Sequence, residues 1–235
     1  MNDDELLSQV RTLREQGDSP KEIARALGLR PSTVIPLVRK IAELQQAGTD
    51  PSERELLGCW INPNWSAGLG LDDAPREWAA ADPEGSIGAD GFASILIARK
   101  ERASRATLCG FLVDVYCLGV KDVVGPLSKG SGSIDDFRRK YFGGFDKPPI
   151  SCPLELAQHL VHGGVAYART LGFEPHPDFA AAAAYLGMPS TPTPIQFGRD
   201  GKPFYISGPR DNPRTIMRTL ESTVGSGNYD FLAGL

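Results

Sequence analysis

The chain has three histidines, and all of them fall in the segment 153–179. His159 and His162 are three residues apart, and Glu155 precedes His159 by four. On a helix these three side chains share one side. A proline-flanked turn at 174–178 follows and is expected to fold back toward them. Imidazole and carboxylate groups bind divalent metals. The candidate ligands are His159, His162 and His176, with Asp178 or Asp114 replacing one of them.

Such a metal site would make the chain a metal-dependent hydrolase or nuclease. The spacing H-x-x-H has no neighbouring catalytic signature, and the alternative is a polar outer helix face followed by a turn histidine. The sequence also has no nucleophile motif, no Gly-rich nucleotide loop and no paired-carboxylate signature. It therefore argues against an enzyme. A divalent metal is the one cofactor that it suggests.

Two groups of basic residues later in the chain could contact phosphate. Arg102 and Arg105 lie at the tip of a predicted hairpin, and Arg138, Arg139 and Lys140 precede Tyr141 and Phe142. Basic residues beside aromatic ones are typical of sites for RNA or single-stranded DNA. The alternatives are a solvated hairpin tip and the charged outer face of an amphipathic helix.

These groups need elements to position them, and the clearest elements are at the N-terminus. Residues 3–45 show helical periodicity in three pieces. The first helix runs from about Asp4 to Gln16 and is stopped by Gly17. A short second helix follows Ser19 and Pro20. After a turn at 28–30, a third helix is expected to reach about residue 45.

The segment 19–44, SPKEIARALGLRPSTVIPLVRKIAEL, resembles the helix-turn-helix of many bacterial regulators. Ala24 is small where two helices would cross, and Gly28 stands in the turn, where positive φ is usually required. The resemblance implies that the third helix enters the major groove of DNA. Its candidate contacts to bases and phosphates are Arg30, Ser32, Thr33, Arg39 and Lys40.

Two features of this segment favour a different use. Ile35 and Pro36 fall where a groove-facing surface is normally polar, and Pro36 lacks a helical donor. In residues 1–45, seven basic residues balance seven acidic ones. The alternative is therefore a fold kept as a protein-docking or dimerisation unit.

Residues 46–55 are polar and contain Gly48 and Pro51, which predicts a linker. The domain boundaries are thus 1–45, 46–55 and 56–235. The stretch 56–91 is rich in Gly and Pro and holds all three tryptophans, so we expect it to be irregular.

The larger domain is organised around an apolar strand at 106–118. A strand is also predicted at 92–99, and the two strands are expected to form an antiparallel hairpin. Both faces of the second strand are mostly apolar, so both are expected to be covered. Asp114 is the exception, and a buried carboxylate needs a partner.

Helices are predicted near 134–142, 153–171, 177–187 and 212–225, and a hairpin at 195–206. The order β-β-α-α-β-β-α predicts an α+β domain with one four-stranded antiparallel sheet. Its phrases LVDVYCLGVKD and HLVHGGVAYARTLGFEPHPDF resemble a recurrent bacterial domain of unassigned function. That resemblance implies no activity.

Composition limits the possible partners. Hydrophobic residues make up 41% and charged residues 23%, as in a globular protein. The net charge of −4 excludes a chain-wide basic field, so nucleic acid must bind to a local patch. The four cysteines form no C-x-x-C pair and predict reduced thiols rather than a zinc ribbon. With no apolar run of about 20 residues, we expect a cytoplasmic chain with no membrane partner.

The sequence thus predicts a DNA-binding transcription regulator, with a C-terminal domain for dimerisation or ligand sensing. A homodimer is expected, because one small reader contacts too few bases for specificity. The first alternative is an RNA- or ribosome-associated protein, and the second is the metal-dependent enzyme.

Overall fold

The computed structural model describes residues 3–47, 50–80 and 91–232. Its internal contacts divide the chain into two compact units, Met1–Asp50 and Pro51–Leu235. The division falls inside the polar segment 46–55. No helix in the described part of the chain is both long enough and apolar enough to cross a membrane.

The N-terminal unit consists of three helices, α1 (Asp3–Glu15), α2 (Pro20–Ala26) and α3 (Pro31–Ala47). One buried residue of α1, two of α2 and two of α3 meet in its core, which contains Val10, Ile23, Ala24, Val34 and Ile41. Each helix thus contributes one apolar stripe at helical spacing. The expected three-helix arrangement is confirmed.

The C-terminal unit is built on a five-stranded antiparallel sheet of order β4-β3-β2-β1-β5. Its strands are β1 (Leu56–Ile61), β2 (Phe92–Arg102), β3 (Arg105–Asp114), β4 (Gly119–Gly130) and β5 (Ile150–Ser151). The long β2–β3 hairpin is central, and both of its faces are buried along most of its length. With its helices, this sheet makes the unit α+β, as expected. The sheet has five strands rather than the predicted four, and the elements do not follow the predicted order β-β-α-α-β-β-α.

Helices cover both faces of the sheet. The described helices of this unit are α4 (Arg76–Ala80), α5 (Ile134–Tyr141), α6 (Leu154–Thr170), α7 (Phe179–Leu186) and α8 (Pro213–Thr223). On one face, Ile95 and Phe111 pack in the main core with Leu160 of α6. On the other, Leu96 and Leu108 pack against the region of α5. The helix α6 approaches the sheet closely, because a Cβ at Gly164 would stand 2.7 Å from Val113.

Several predictions about this unit are wrong in detail. The stretch 56–91 contains β1, which pairs with both β2 and β5. The run after Asp122, whose Gly and Ser residues predict a loop-rich segment, instead continues β4 as far as Gly130. The predicted hairpin at 195–206 is reduced to its turn, where Arg199 and Lys202 form an isolated antiparallel bridge. Its expected second strand is β6 (Phe204–Ile206), which instead pairs in parallel with β7 (Asp230–Leu232). Because β7 lies far along the chain, local turn residues could not reveal this pairing.

Candidate nucleic-acid interface

The helix α2 is fixed at its start by a capping box. The Ser19 hydroxyl accepts a hydrogen bond from the Glu22 backbone N–H, and the Glu22 carboxylate accepts one from the Ser19 N–H at 2.7 Å. These bonds lower the pKa of Glu22. Two free backbone donors at the helix start are thereby satisfied. The capping box fixes where α2 begins, and so where its buried face lies.

The turn between α2 and α3 has the conformation that its glycine predicts. Gly28 has φ of +64°, which side-chain-bearing residues rarely adopt. The Leu29 N–H then donates to the Ala24 carbonyl at 2.8 Å, and the Thr33 N–H donates to the Arg30 carbonyl at 2.9 Å. The backbone carbonyl of Arg30 therefore accepts a hydrogen bond at the start of α3, and the Arg30 side chain is exposed.

The helix α3 separates an apolar face from a solvent-facing one. Val34 and Ile41 are buried, and Leu37 and Val38 are partly buried against the same core. Pro36 lies inside the helix without ending it. The exposed side chains of the segment 30–40 are Arg30, Pro31, Ser32, Thr33, Ile35, Pro36, Arg39 and Lys40. All five predicted contact residues thus lie on the exposed side of one element.

The charge on this face is of one sign. From Arg30 to Lys40 the sequence contains three basic residues and no acidic one, and the next acid is Glu43. Most acids of the unit instead precede α3, in α1 and near α2. Although residues 1–45 are neutral in sum, the exposed start of α3 is locally basic. Such a surface attracts phosphate.

The basic residues of the C-terminal unit have carboxylates beside them. Arg105 Nε donates to the Ser128 hydroxyl at 2.9 Å and lies 3.9 Å from Glu101, which is also 4.0 Å from Arg102. These contacts hold the side chain of Arg105 against β4. The hairpin tip therefore resembles a solvated, internally paired surface more than a phosphate cradle.

The cluster on α5 is similar. Arg138 forms an ion pair with Asp135 at 3.1 Å and lies 5.0 Å from the centre of the Trp60 ring. Arg139 forms an ion pair with Asp136. Lys140 is exposed. Since two of the three cations already have partners in the first turn of their own helix, this cluster offers less free positive charge than its composition suggests.

The three histidines are not brought together as a ligand set. Within the described residues, no group of three His, Cys, Asp or Glu side chains is placed to hold a metal ion. His159 is 1% exposed and packs against Trp78, with ring centres 5.5 Å apart and the ring planes tilted by 44°. The expectation of an outward-facing His159 is wrong, because the region of Trp78 covers the side of α6 that the periodicity leaves polar.

The other two histidines are used locally. His162 Nε2 lies 2.9 Å from the Gly187 carbonyl, and burial lowers the pKa of His162. A neutral ring with its proton on Nε2 fits this contact and leaves Nε2 without a lone pair for a metal. His176 Nδ1 accepts the Asp178 N–H at 3.3 Å. The metal site formed by His159, His162 and His176 is therefore not supported.

The partner of Asp114 lies in its own turn. One carboxylate oxygen accepts the N–H groups of Tyr116 and Cys117 at 3.0 and 2.9 Å. The other oxygen is buried and has no hydrogen-bond partner among the described residues. Burial raises the pKa of Asp114 to about 6, against the attraction of Lys121 and these backbone donors. The carboxylate fixes the turn between β3 and β4.

A small pocket opens on the sheet face beside α5. Its volume is about 220 Å³, and it is lined by Ser94, Leu112, Asp122, Val124, Tyr141 and Phe145. Tyr141 lies over Gly110, where a Cβ would stand 2.6 Å from its ring, and its hydroxyl donates to the Ile95 carbonyl at 3.1 Å. Sequence periodicity gave no sign of this pocket, because it depends on strand order.

Comparisons with protein-family models, with curated proteins and with solved structures find no match to this chain.

Proposed function

We propose that this chain is a DNA-binding protein that acts as a transcription regulator, and that α3 enters the major groove. One observation carries the proposal. A three-helix unit with a glycine-containing turn before its last helix exposes Arg30, Ser32, Thr33, Arg39 and Lys40 together, in a segment without acids. Residues at the start of such a helix reach base edges, and cations farther along it contact phosphates.

The individual roles follow from side-chain chemistry. Arg30, at the first turn of α3, suits guanine or phosphate, and Ser32 and Thr33 suit base edges. Arg39 and Lys40 lie later in the helix and suit phosphates. Ile35 is 48% exposed and offers an apolar contact of the kind that thymine methyl groups accept.

The C-terminal unit would then provide dimerisation or ligand sensing. A homodimer places two copies of α3 on neighbouring half-sites and doubles the number of bases that are contacted. The pocket of about 220 Å³ beside α5 is one place where a small ligand would fit. Both roles rest on the DNA-binding proposal.

The alternative of an RNA- or ribosome-associated protein has weaker support. It depends on Arg102, Arg105 and the α5 cluster, whose arginines largely contact nearby carboxylates. An exposed ion pair stabilises a protein little, so these contacts do not forbid RNA. They do make the cations of α3 the better candidates for phosphate binding.

The test begins by crosslinking the full chain in its native cell and sequencing the DNA and RNA that copurify. A set of discrete DNA sites is expected. Ribosomal or other RNA without DNA enrichment would instead support the alternative and overturn the DNA-binding proposal.

Binding to a recovered DNA site would then be measured by fluorescence anisotropy at several salt concentrations. The Arg39→Ala/Lys40→Ala variant should bind on the order of a hundred-fold more weakly. The slope of its log affinity against log salt concentration should become shallower by the amount that about two lost phosphate contacts account for. The matched control is Arg138→Ala/Arg139→Ala, which removes the same charge from α5. Equal loss of affinity in both variants would contradict a specific role for α3.

A further inference from the structure

Two cysteine sulfurs lie in contact in the C-terminal unit. The Sγ atoms of Cys59 and Cys152 are 3.4 Å apart, although 93 positions separate them in the chain. Both are free thiols. Cys59 belongs to β1, and Cys152 directly follows β5. Nothing in the sequence indicates this contact, because neither cysteine has another nearby in the chain.

The strand pairing holds the two residues opposite each other. β1 and β5 are antiparallel, with Trp60 opposite Ser151. One step farther along, the Cys152 N–H donates to the Cys59 carbonyl at 3.0 Å. Opposed residues on antiparallel strands have Cα atoms about 5.5 Å apart, which is inside the range that a disulfide spans. Bond formation thus requires side-chain rotation and little backbone movement.

The two thiols differ in access to solvent. Cys59 is 4% exposed, and its hydrogen bond with Cys152, together with burial, raises the pKa of Cys59 well above its usual value. Cys152 is only partly buried and lies at the edge of the sheet that the short strand β5 forms. A small oxidant in solvent therefore meets Cys152 first, while Cys59 holds its proton behind it.

We propose that Cys59 and Cys152 are an oxidative modification site, which a peroxide converts to a disulfide. The Cys152 thiolate attacks one peroxide oxygen, the O–O bond breaks and hydroxide leaves, so Cys152 becomes a sulfenic acid. The Cys59 thiol then loses its proton and attacks the Cys152 sulfur. The S–S bond forms, the S–O bond breaks, and water leaves. Two thiols lose two electrons in total, and the peroxide is reduced to water.

The same protein contains an internal control. Cys109 and Cys117 are both 0% exposed. Burial raises the pKa of the Cys109 thiol to about 12, and it raises the pKa of Cys117 still further, with the help of the Asp114 carboxylate. Thiols that stay protonated and covered react slowly with oxidants. Oxidation should therefore select Cys59 and Cys152 from the four cysteines.

The experiment treats the reduced full chain with a slight excess of hydrogen peroxide at neutral pH, removes the peroxide and then alkylates the remaining thiols in denaturant. We expect two alkylated cysteines instead of four. Mass spectrometry of unreduced peptides should find one crosslinked pair, with a mass lower by two hydrogens, that contains Cys59 and Cys152. A dithiol reductant should restore all four thiols.

Variants separate the steps. Cys59→Ser should stop at an oxidised Cys152 that a sulfenic-acid probe captures, and Cys152→Ser should leave Cys59 unreacted. The Cys109→Ser/Cys117→Ser variant should form the disulfide at an unchanged rate. A wild-type chain that keeps four thiols, forms disulfides only between molecules or oxidises Cys109 equally fast would overturn the proposal. None of these outcomes depends on whether the chain binds DNA.

Discussion

The two units of this chain use polar residues in opposite ways. In the described residues of the N-terminal unit, the buried side chains are all apolar, and the polar ones lie at the surface. Among the described residues of the C-terminal unit, six polar side chains are buried: Asn62, Ser94, Arg99, Thr107, Asp114 and His159. The first arrangement leaves hydrogen-bonding groups available to a partner. In the second arrangement, the hydrogen-bonding groups are buried inside the unit and are not available to a partner.

It follows from this difference that residue type alone does not identify a binding surface. Arg39 and Arg99 are the same residue, yet Arg39 is exposed on α3 while Arg99 is 4% exposed and donates to two backbone carbonyls. Even the arginines of α5, which are not fully buried, differ from those of α3, because their helix supplies its own carboxylates. What distinguishes a candidate interface here is positive charge without a partner in the same segment.

The largest expected effect comes from removing the buried arginine. Arg99 Nε donates to the Tyr185 carbonyl at 3.0 Å, and a terminal nitrogen donates to the Arg54 carbonyl at 2.7 Å. Arg99→Ala leaves buried acceptors unpaired and opens a cavity, so it should lower the free energy of unfolding by about 3 kcal/mol or more. Urea denaturation followed by tryptophan fluorescence measures this, since all three tryptophans lie in the C-terminal unit.

The matched control is Arg30→Ala, which removes an exposed arginine of the N-terminal unit. Its unfolding is followed by helical circular dichroism, because all three tryptophans lie in the other unit. This substitution should change the free energy of unfolding by less than about 0.5 kcal/mol. Similar losses in the two variants would show that the two units do not differ in this way.

The second effect concerns Asp114. Its pKa rises from 3.8 to about 6 on folding, so the folded chain binds this proton more tightly than the unfolded chain does. The stability that this gives is fully present below pH 3.8 and is lost as pH rises through 6. The loss is about 3 kcal/mol in total. Asp114→Asn keeps the acceptor oxygen and removes the charge.

We therefore expect Asp114→Asn to gain about 2 kcal/mol relative to wild type between pH 4 and pH 8. Urea denaturation at both values, again by tryptophan fluorescence, measures the difference. A constant offset between the two proteins across this range would show that Asp114 is already ionised at pH 4.

The smallest effect tests the N-terminal unit by itself. Ser19→Ala removes the hydroxyl that caps α2 and should destabilise the unit by about 1 kcal/mol. Loss of helical circular dichroism at lower temperature, with unchanged tryptophan fluorescence, is the expected result. Ser19→Asp is the control, because it restores an acceptor at the cap. Simultaneous loss of both signals would mean that the two units unfold together.

The N-terminal unit could be predicted from the sequence because its signals are local. Ser19 and Pro20 mark the start of α2, Gly28 marks the turn, and the apolar residues repeat at helical spacing. Each signal concerns residues within one or two helical turns. The same periodicity predicts which residues of α3 face solvent. The residues of the proposed interface could therefore also be predicted from the sequence.

Much of the C-terminal unit depends on contacts between distant residues. The strand β1 contains Gly58 and lies in a stretch rich in Gly and Pro, so its alternation was hidden. Strand β4 bulges near Gly125 and Pro126, which local reasoning read as a loop. The environment of His159 depends on Trp78, eighty-one positions earlier in the chain. The contact between Cys59 and Cys152 arises only when β1 pairs with β5.

The long outer edge of the sheet bears on whether two molecules of this protein can pair through their strands. β4 is one of the two edge strands, and its long unpaired side would invite a strand of another molecule. The His176 N–H occupies the Val120 carbonyl at one end, Pro126 supplies no N–H, and Lys121, Asp122 and Lys129 add charge. These features oppose aggregation by strand addition. A homodimer of this protein would accordingly form through another surface than the β4 edge, and the two sheets would not join into one continuous sheet.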